Sequence, residues 1–195
     1  MNALFSVLNL TLNIHVMKAN FFVLFILMMF PFESSYSQNP LKFEQVFNAE
    51  GKTKDEMFSK AMLWVADKYN SANDVLQLSD KDAGNIIVKA MYNHRYGKAM
   101  TYGGSWGNIT YTLSIQFKDD KYRIAVGPFI HEYEPPKTMI SISYGLVTDS
   151  IYCSQKWGKK KMAAAYWSEI KKSCEIKAYE IFVNLSEAID KKEEW

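Results

Sequence analysis

The sequence predicts an α+β fold: a two-layer sandwich in which one antiparallel meander sheet is covered on one face by two helices, in the order β-α-β-β-β-β-α. Three patterns predict it. Residues 109–118 alternate apolar and polar side chains without a break. Two segments, one after Thr53 and one from about residue 160 to 191, repeat apolar residues at three- and four-residue spacing. Short strand-like runs separated by turn residues fill the interval between them, which is how a sheet with one buried and one wet face is written.

Leu41–Ala49 opens as a strand, with apolar and polar residues in rough alternation. A helix follows. Thr53 with Glu56 three residues later is a capping box, and Asp55 and Glu56 place negative charge in the first turn. Phe58, Ala61, Met62, Val65 and Tyr69 then form the buried stripe, which Trp64 widens. The helix should end near Asn70. Val75–Leu78 is a short run and residues 79–85 a turn; Ile86, Val88, Ala90 and Tyr92 then share one side of a strand. Residues 97–108 form a Gly-rich connection. On the next strand Ile109, Tyr111, Leu113, Ile115 and Phe117 face the core, while Thr110, Thr112, Ser114 and Gln116 face water. Asp119-Asp120 turns the chain, and Tyr122, Ile124 and Val126 continue the apolar face with Arg123 outside. A further short strand is expected at Met139–Val147. The last helix carries Ala163, Trp167, Ile170, Cys174, Ala178, Ile181, Leu185 and Ile189 on one stripe, with Lys and Glu opposite.

The first 37 residues read as a leader. Met17-Lys18 supplies a charged start, Phe21–Phe30 is an uninterrupted apolar run, and small or polar residues reach Ser37. That is the layout of a secretory signal peptide; a membrane span needs roughly 20 apolar residues. Residues 1–16 carry no positive charge, which points to Met17 as the start. Cleavage is expected between Ser37 and Gln38, with no Cys near the cut for lipid attachment, so a periplasmic or secreted location is expected. Residues 38–195 then form a single domain, a length that buries most of its apolar surface.

Composition narrows the function. Lys and Arg number 23 against 21 Asp and Glu, for a formal charge of +2, and the signs are interspersed up to Lys159-Lys160-Lys161. A dedicated nucleic-acid binder would gather basic charge on one face. Gly51-Lys52-Thr53 spells the tail of a phosphate loop, but the position that must be glycine is Val46, so no nucleotide is expected. Cys153 and Cys174 permit one disulfide in an oxidising compartment, although Cys174 sits on the apolar stripe where a free thiol is at home. His94 and His131, each near polar partners, are weak metal or acid–base candidates. Hydrolase chemistry is read as having no named nucleophile, with no serine recognised in an elbow. Tyr102 and Trp106 among Gly103, Gly104 and Gly107 place aromatics on a loop tip suited to a sugar or peptide.

Three blocks, "GKTKDEMFSKAMLWVADKY", "ANDVLQLSDKDAGNIIVKA" and "ITYTLSIQFKDDKYRIAVGPF", occur in that order. Over residues 41–135 the chain resembles the family called domain of unknown function 4468, found largely in exported proteins of Bacteroidetes-type bacteria. The matching residues are Gly51, Lys52, Lys54 and Asp55 before the helix, Trp64 within it and Asp80–Gly84 in the turn. The resemblance implies a TATA-binding-protein-like fold and no particular activity.

The expected function is a non-enzymatic binding module of the cell envelope. It would use Thr110, Thr112, Ser114, Gln116 and Arg123 on the open face, with Tyr102 and Trp106 of the loop, to hold a protein or glycan. No cofactor is implied. Two alternatives stand beside it: a hydrolase or metal enzyme around His94 and His131, and an envelope assembly partner that docks through the last helix.

Overall fold

A computed structural model of the chain describes residues 38–69, 71–96, 105–133, 143–154 and 161–191. The chain divides at Ser37/Gln38 into two units, and everything below concerns the second. The expected leader, Tyr102, and residues 139–142 of the strand expected at 139–147 lie outside the described residues.

β1 (Phe43–Asn48) leads into α1 (Lys54–Lys68), whose start is the expected cap: the Thr53 hydroxyl accepts from the Glu56 N–H at 3.2 Å. Tyr69 closes the helix, its N–H donating to the Val65 carbonyl. A single helical turn, α2 (Ala72–Val75), stands where the sequence suggests only a connection. Asp74 favours such a local hydrogen-bonded turn over extension, and its N–H donates to the Ser71 carbonyl. Then come β2 (Leu76–Asp80), β3 (Asn85–His94), β4 (Gly107–Lys118), β5 (Lys121–Glu132) and the two-residue β6 (Gly145–Leu146), before α3 (Lys161–Asp190).

The strands form one antiparallel six-stranded sheet in the order β1-β5-β4-β3-β2, with β6 also on β5. β2 to β5 are the expected meander. β1 does not neighbour β2; it pairs with β5 at the opposite end of the sheet, and this long-range pairing is invisible to local alternation. Both long helices lie on the same side of the sheet. Phe58 of α1 meets Phe117 of β4 edge-on, Phe182 of α3 meets Phe47 of β1, and Tyr92 of β3 reaches Ser173 of α3.

Every residue of the expected α3 stripe, from Ala163 to Ile189, is buried. So are the inward residues of β4 and β5, Ile109 to Phe117 and Tyr122 to Val126. At about 1.5–3 kcal/mol for each large apolar side chain removed from water, this layer carries the stability of the fold. It also consumes the surface that assembly through the α3 stripe would need. Among the described residues, the exposed large apolar side chains of α3 are Ile176 and Tyr179, off that stripe. No described helix is long and apolar enough to cross a membrane.

Candidate functional site

The side of the sheet turned away from the helices is ordered in cross-strand rows. The pairing places Asn85, Gln116, Arg123 and Val46 side by side across β3, β4, β5 and β1. A second row holds Ile87, Ser114, Ala125 and Glu44, and the far end holds Met91, Thr110, Ile130 and Leu146. This is a graded face, polar and charged near the β4–β5 turn and apolar at the other end. The expected outward residues Thr110, Thr112, Ser114 and Gln116 are on it, half-buried by their neighbours, with Arg123 more exposed.

At its polar end lies a hollow of about 560 Å³. Asn85, Gln116, Lys118, Lys121, Arg123 and Val46 are among the residues that line it. Glu44 accepts from Arg123 Nη1 at 3.1 Å, and Arg123 Nη2 donates to the Gln116 amide oxygen. Lys42 donates to Glu44 at 2.8 Å and, with burial opposing and Arg123 assisting, holds that carboxylate below its usual range. The guanidinium is thus propped across three strands.

The three blocks behind the family resemblance meet beside this hollow. Asp119 Oδ1 accepts from the Lys54 N–H at 2.8 Å, and Asp120 Oδ1 from the Gly51 N–H at 2.8 Å. Asp120 itself takes a left-handed φ of 65°, which Asp tolerates at a tight turn. Lys54 Nζ reaches the Asp82 carbonyl at 2.8 Å. Gly84, at φ +67°, leaves no room for a side chain: a Cβ there would stand 2.8 Å from the Phe117 carbonyl oxygen. The Gly51-Lys52-Thr53 bend is therefore received by the aspartate turn, with the Gly51 N–H given to Asp120 Oδ1 and the Lys52 carbonyl accepting the Asp120 N–H.

The histidines are a separate matter. His94 ends β3 and His131 ends β5, on the helix side, with Gly107 of β4 between the strands. Their ring centroids are 6.2 Å apart, nearly perpendicular. Both rings turn to Ser105: His94 Nε2 lies 3.0 Å from its hydroxyl, and His131 Nε2 3.3 Å from its carbonyl oxygen. His131 Nδ1 accepts the Tyr144 N–H at 3.3 Å, so the proton sits on Nε2 and donates to Ser105. Burial, with the neighbouring His94 adding to it, pushes His131 down to about 4; burial also lowers His94, against the field of Glu169. The sequence candidates are brought together, but a neutral His131 has no lone pair left for a metal. Among the described residues no group of three or more His, Cys, Asp or Glu could hold a metal ion.

Ser105 is the residue that the sequence reading misses, although Gly103-Gly104-Ser105-Trp106-Gly107 carries the G-x-S-x-G spacing of a nucleophile elbow. With His94 at its hydroxyl and Glu169 acting on His94, it has the outline of a triad. The setting is wrong for that role. An elbow joins a strand to a helix with the serine exposed, whereas Ser105 precedes a strand and is fully buried. The Ser105 N–H donates to the Tyr96 carbonyl at 3.2 Å, so the residue ties the chain leaving β3 to the chain entering β4. Trp106, expected on a loop tip, is half-buried with the Arg95 guanidinium 5.4 Å above its ring.

Both cysteines are free and buried, which corrects the permitted disulfide. Cys174 faces the Tyr92 hydroxyl at 3.9 Å from the α3 stripe, and burial pushes its thiol up to about 12. Cys153 lies elsewhere, against Tyr144.

Comparison with known proteins bears directly on this corner. Residues 43–131 match the profile of the domain of unknown function (DUF4468) with TBP-like fold. This part of the chain is similar to that family. The matched segment runs from β1 to His131 and includes the aspartate turn, the hollow and the histidine pair. Two solved structures share the fold. One is a TBP-like protein from Parabacteroides distasonis, 17% identical, with a TM-score of 0.60 over 78% of this chain and 94% of that one. The other is a DUF4468 family protein from Bacteroides ovatus, 14% identical, with a TM-score of 0.52 over 79% and 88%. None of the curated proteins matches the chain.

Proposed function

We propose that this protein is a non-enzymatic binding module of the bacterial envelope, exported by its N-terminal leader, that holds its partner on the open face of the sheet. One observation carries the reading. Both long helices pack on one side, and the other side is left with a hollow in which an arginine is propped by Glu44 and Gln116. A guanidinium fixed in this way presents its remaining N–H groups with less conformational freedom left to lose on binding. The enzyme alternative is weakened by the sealed Ser105 and the spent lone pairs of His131. Export is supported by the leader-like residues 1–37 and by the bacterial source of both structural relatives.

Two experiments test this. N-terminal sequencing of the protein recovered from the periplasm or medium should begin at Gln38; a cytoplasmic product that starts upstream refutes export. Photo-crosslinkers at Thr112 on the open face and Tyr179 on α3 should give an adduct, identified by mass spectrometry, only from position 112. Adducts confined to position 179 would return the function to helix docking.

A further inference from the structure

The chemistry of the hollow narrows what the open face can hold, and the argument rests on the binding-module reading above. Lys118 and Lys121 are direct cross-strand partners at the end of the β4–β5 hairpin, and Gln116 and Arg123 are the next outward pair. Like charges placed directly opposite destabilise a strand pair. The acids that could relieve them are adjacent in sequence and committed elsewhere: Asp119 and Asp120 accept the N–H groups of Lys54 and Gly51. Neither lysine takes part in a salt bridge among the described residues, and no carboxylate lines the hollow. Three cations and the amides of Asn85 and Gln116 therefore converge on one space of about 560 Å³ whose lining holds no carboxylate, with Glu44 standing behind Arg123.

We propose that this hollow is a binding site for an acidic saccharide, with a carboxylate held between Lys118, Lys121 and Arg123 and ring hydroxyls on Asn85 and Gln116. A glycan fits better than an acidic peptide. The charged side chains of the hollow come from β4 and β5, interior strands whose main chains are paired on both sides, so a peptide backbone cannot add as a strand beside them. It also fits better than DNA. The basic charge is confined to one small hollow and the chain carries +2 overall, while a duplex needs phosphate contacts spread along its length.

The test titrates the purified chain with an oligogalacturonide, its carboxyl-reduced counterpart, poly-L-glutamate, double-stranded DNA and inorganic phosphate, following heat and backbone amide shifts. The oligogalacturonide should bind, with shifts at Asn85, Gln116, Lys118, Lys121 and Arg123, and raised salt should weaken it. Lys118→Gln with Lys121→Gln should lower the affinity by about tenfold without lowering thermal stability, because the pair is exposed and mutually repelling. Arg123→Gln provides an independent second variant and should weaken binding as well. Equal binding of the reduced oligomer would overturn the acidic assignment and leave the open face as the site. Tighter binding of polyglutamate, DNA or free phosphate at the hollow would overturn the saccharide assignment in the same way. Shifts confined to the helix side would overturn both readings. Silence from every probe would overturn the acidic-saccharide site alone.

Discussion

Acidification should unfold this domain in a way that one residue accounts for in large part. His131 is fully buried, and its ring is neutral because Nδ1 already accepts the Tyr144 N–H. Its pKa is lowered to about 4 from an ordinary 6.5. Below pH 6.5 the unfolded chain takes up a proton that the folded ring refuses. The stabilisation is thus complete above about 6.5, is lost as the pH falls toward 4, and changes no further below that. A displacement of about 2.5 pH units at 1.36 kcal/mol each is worth roughly 3 kcal/mol. In urea, with a slope near 2 kcal/mol/M, that is a midpoint change of about 1.5 M. Carboxylates also contribute to acid unfolding, so the quantity to compare is a difference. Between pH 7 and 4, the native chain should lose about 3 kcal/mol more than His131→Gln, which keeps a donor and an acceptor but does not titrate. His94, lowered by burial and opposed by Glu169, acts in the same direction in both proteins. An imidazole NMR titration reads the pKa without any variant. Parallel stability curves, or a His131 resonance that titrates near 6.5, would refute the reasoning.

Three further outcomes can be measured on purified protein. Gly107→Ala should cost about 1–3 kcal/mol in a thermal or urea melt, because the new methyl would stand 2.5 Å from the Glu132 carbonyl oxygen and 2.9 Å from His131 Nε2. An unchanged melt would mean that the strand ends are looser than described. Thr53→Ala removes the α1 cap and Asp119→Ala the acceptor for the Lys54 N–H, and each should cost about 1 kcal/mol by urea denaturation. The double variant should fall short of their sum if both act on the same first turn. Neither cysteine should react with a thiol reagent under native conditions, both should react once the chain is unfolded, and reduction should leave the mass unchanged.

Much of the layering was legible because the signals were local. The α3 stripe from Ala163 to Ile189 needs only a helical period, and β4 needs only a period of two. Thr53 and Glu56 announce the start of α1 within four residues. What escaped reading depends on partners far apart in sequence. β1 finds β5 rather than β2, with Phe43 set opposite Val126. Ser105 collects His94 and His131 only because β3, β4 and β5 end at the same level of the sheet. The hollow exists because Gln116 and Arg123 share a register row, and alternation shows that both face outward without showing that they are neighbours. Asp119-Asp120 announced a turn; that its carboxylates face the start of α1 required coordinates.

The triple attachment of Ser105 bears on how β3 and β4 stay in register. Its N–H holds Tyr96, its hydroxyl meets His94, and its carbonyl receives His131, so β3 and β4 are fastened where the chain leaves and re-enters the sheet. One residue thus adds main-chain and side-chain bonds to the ladder at this end of the sheet, and a slip of β3 along β4 would have to break them together.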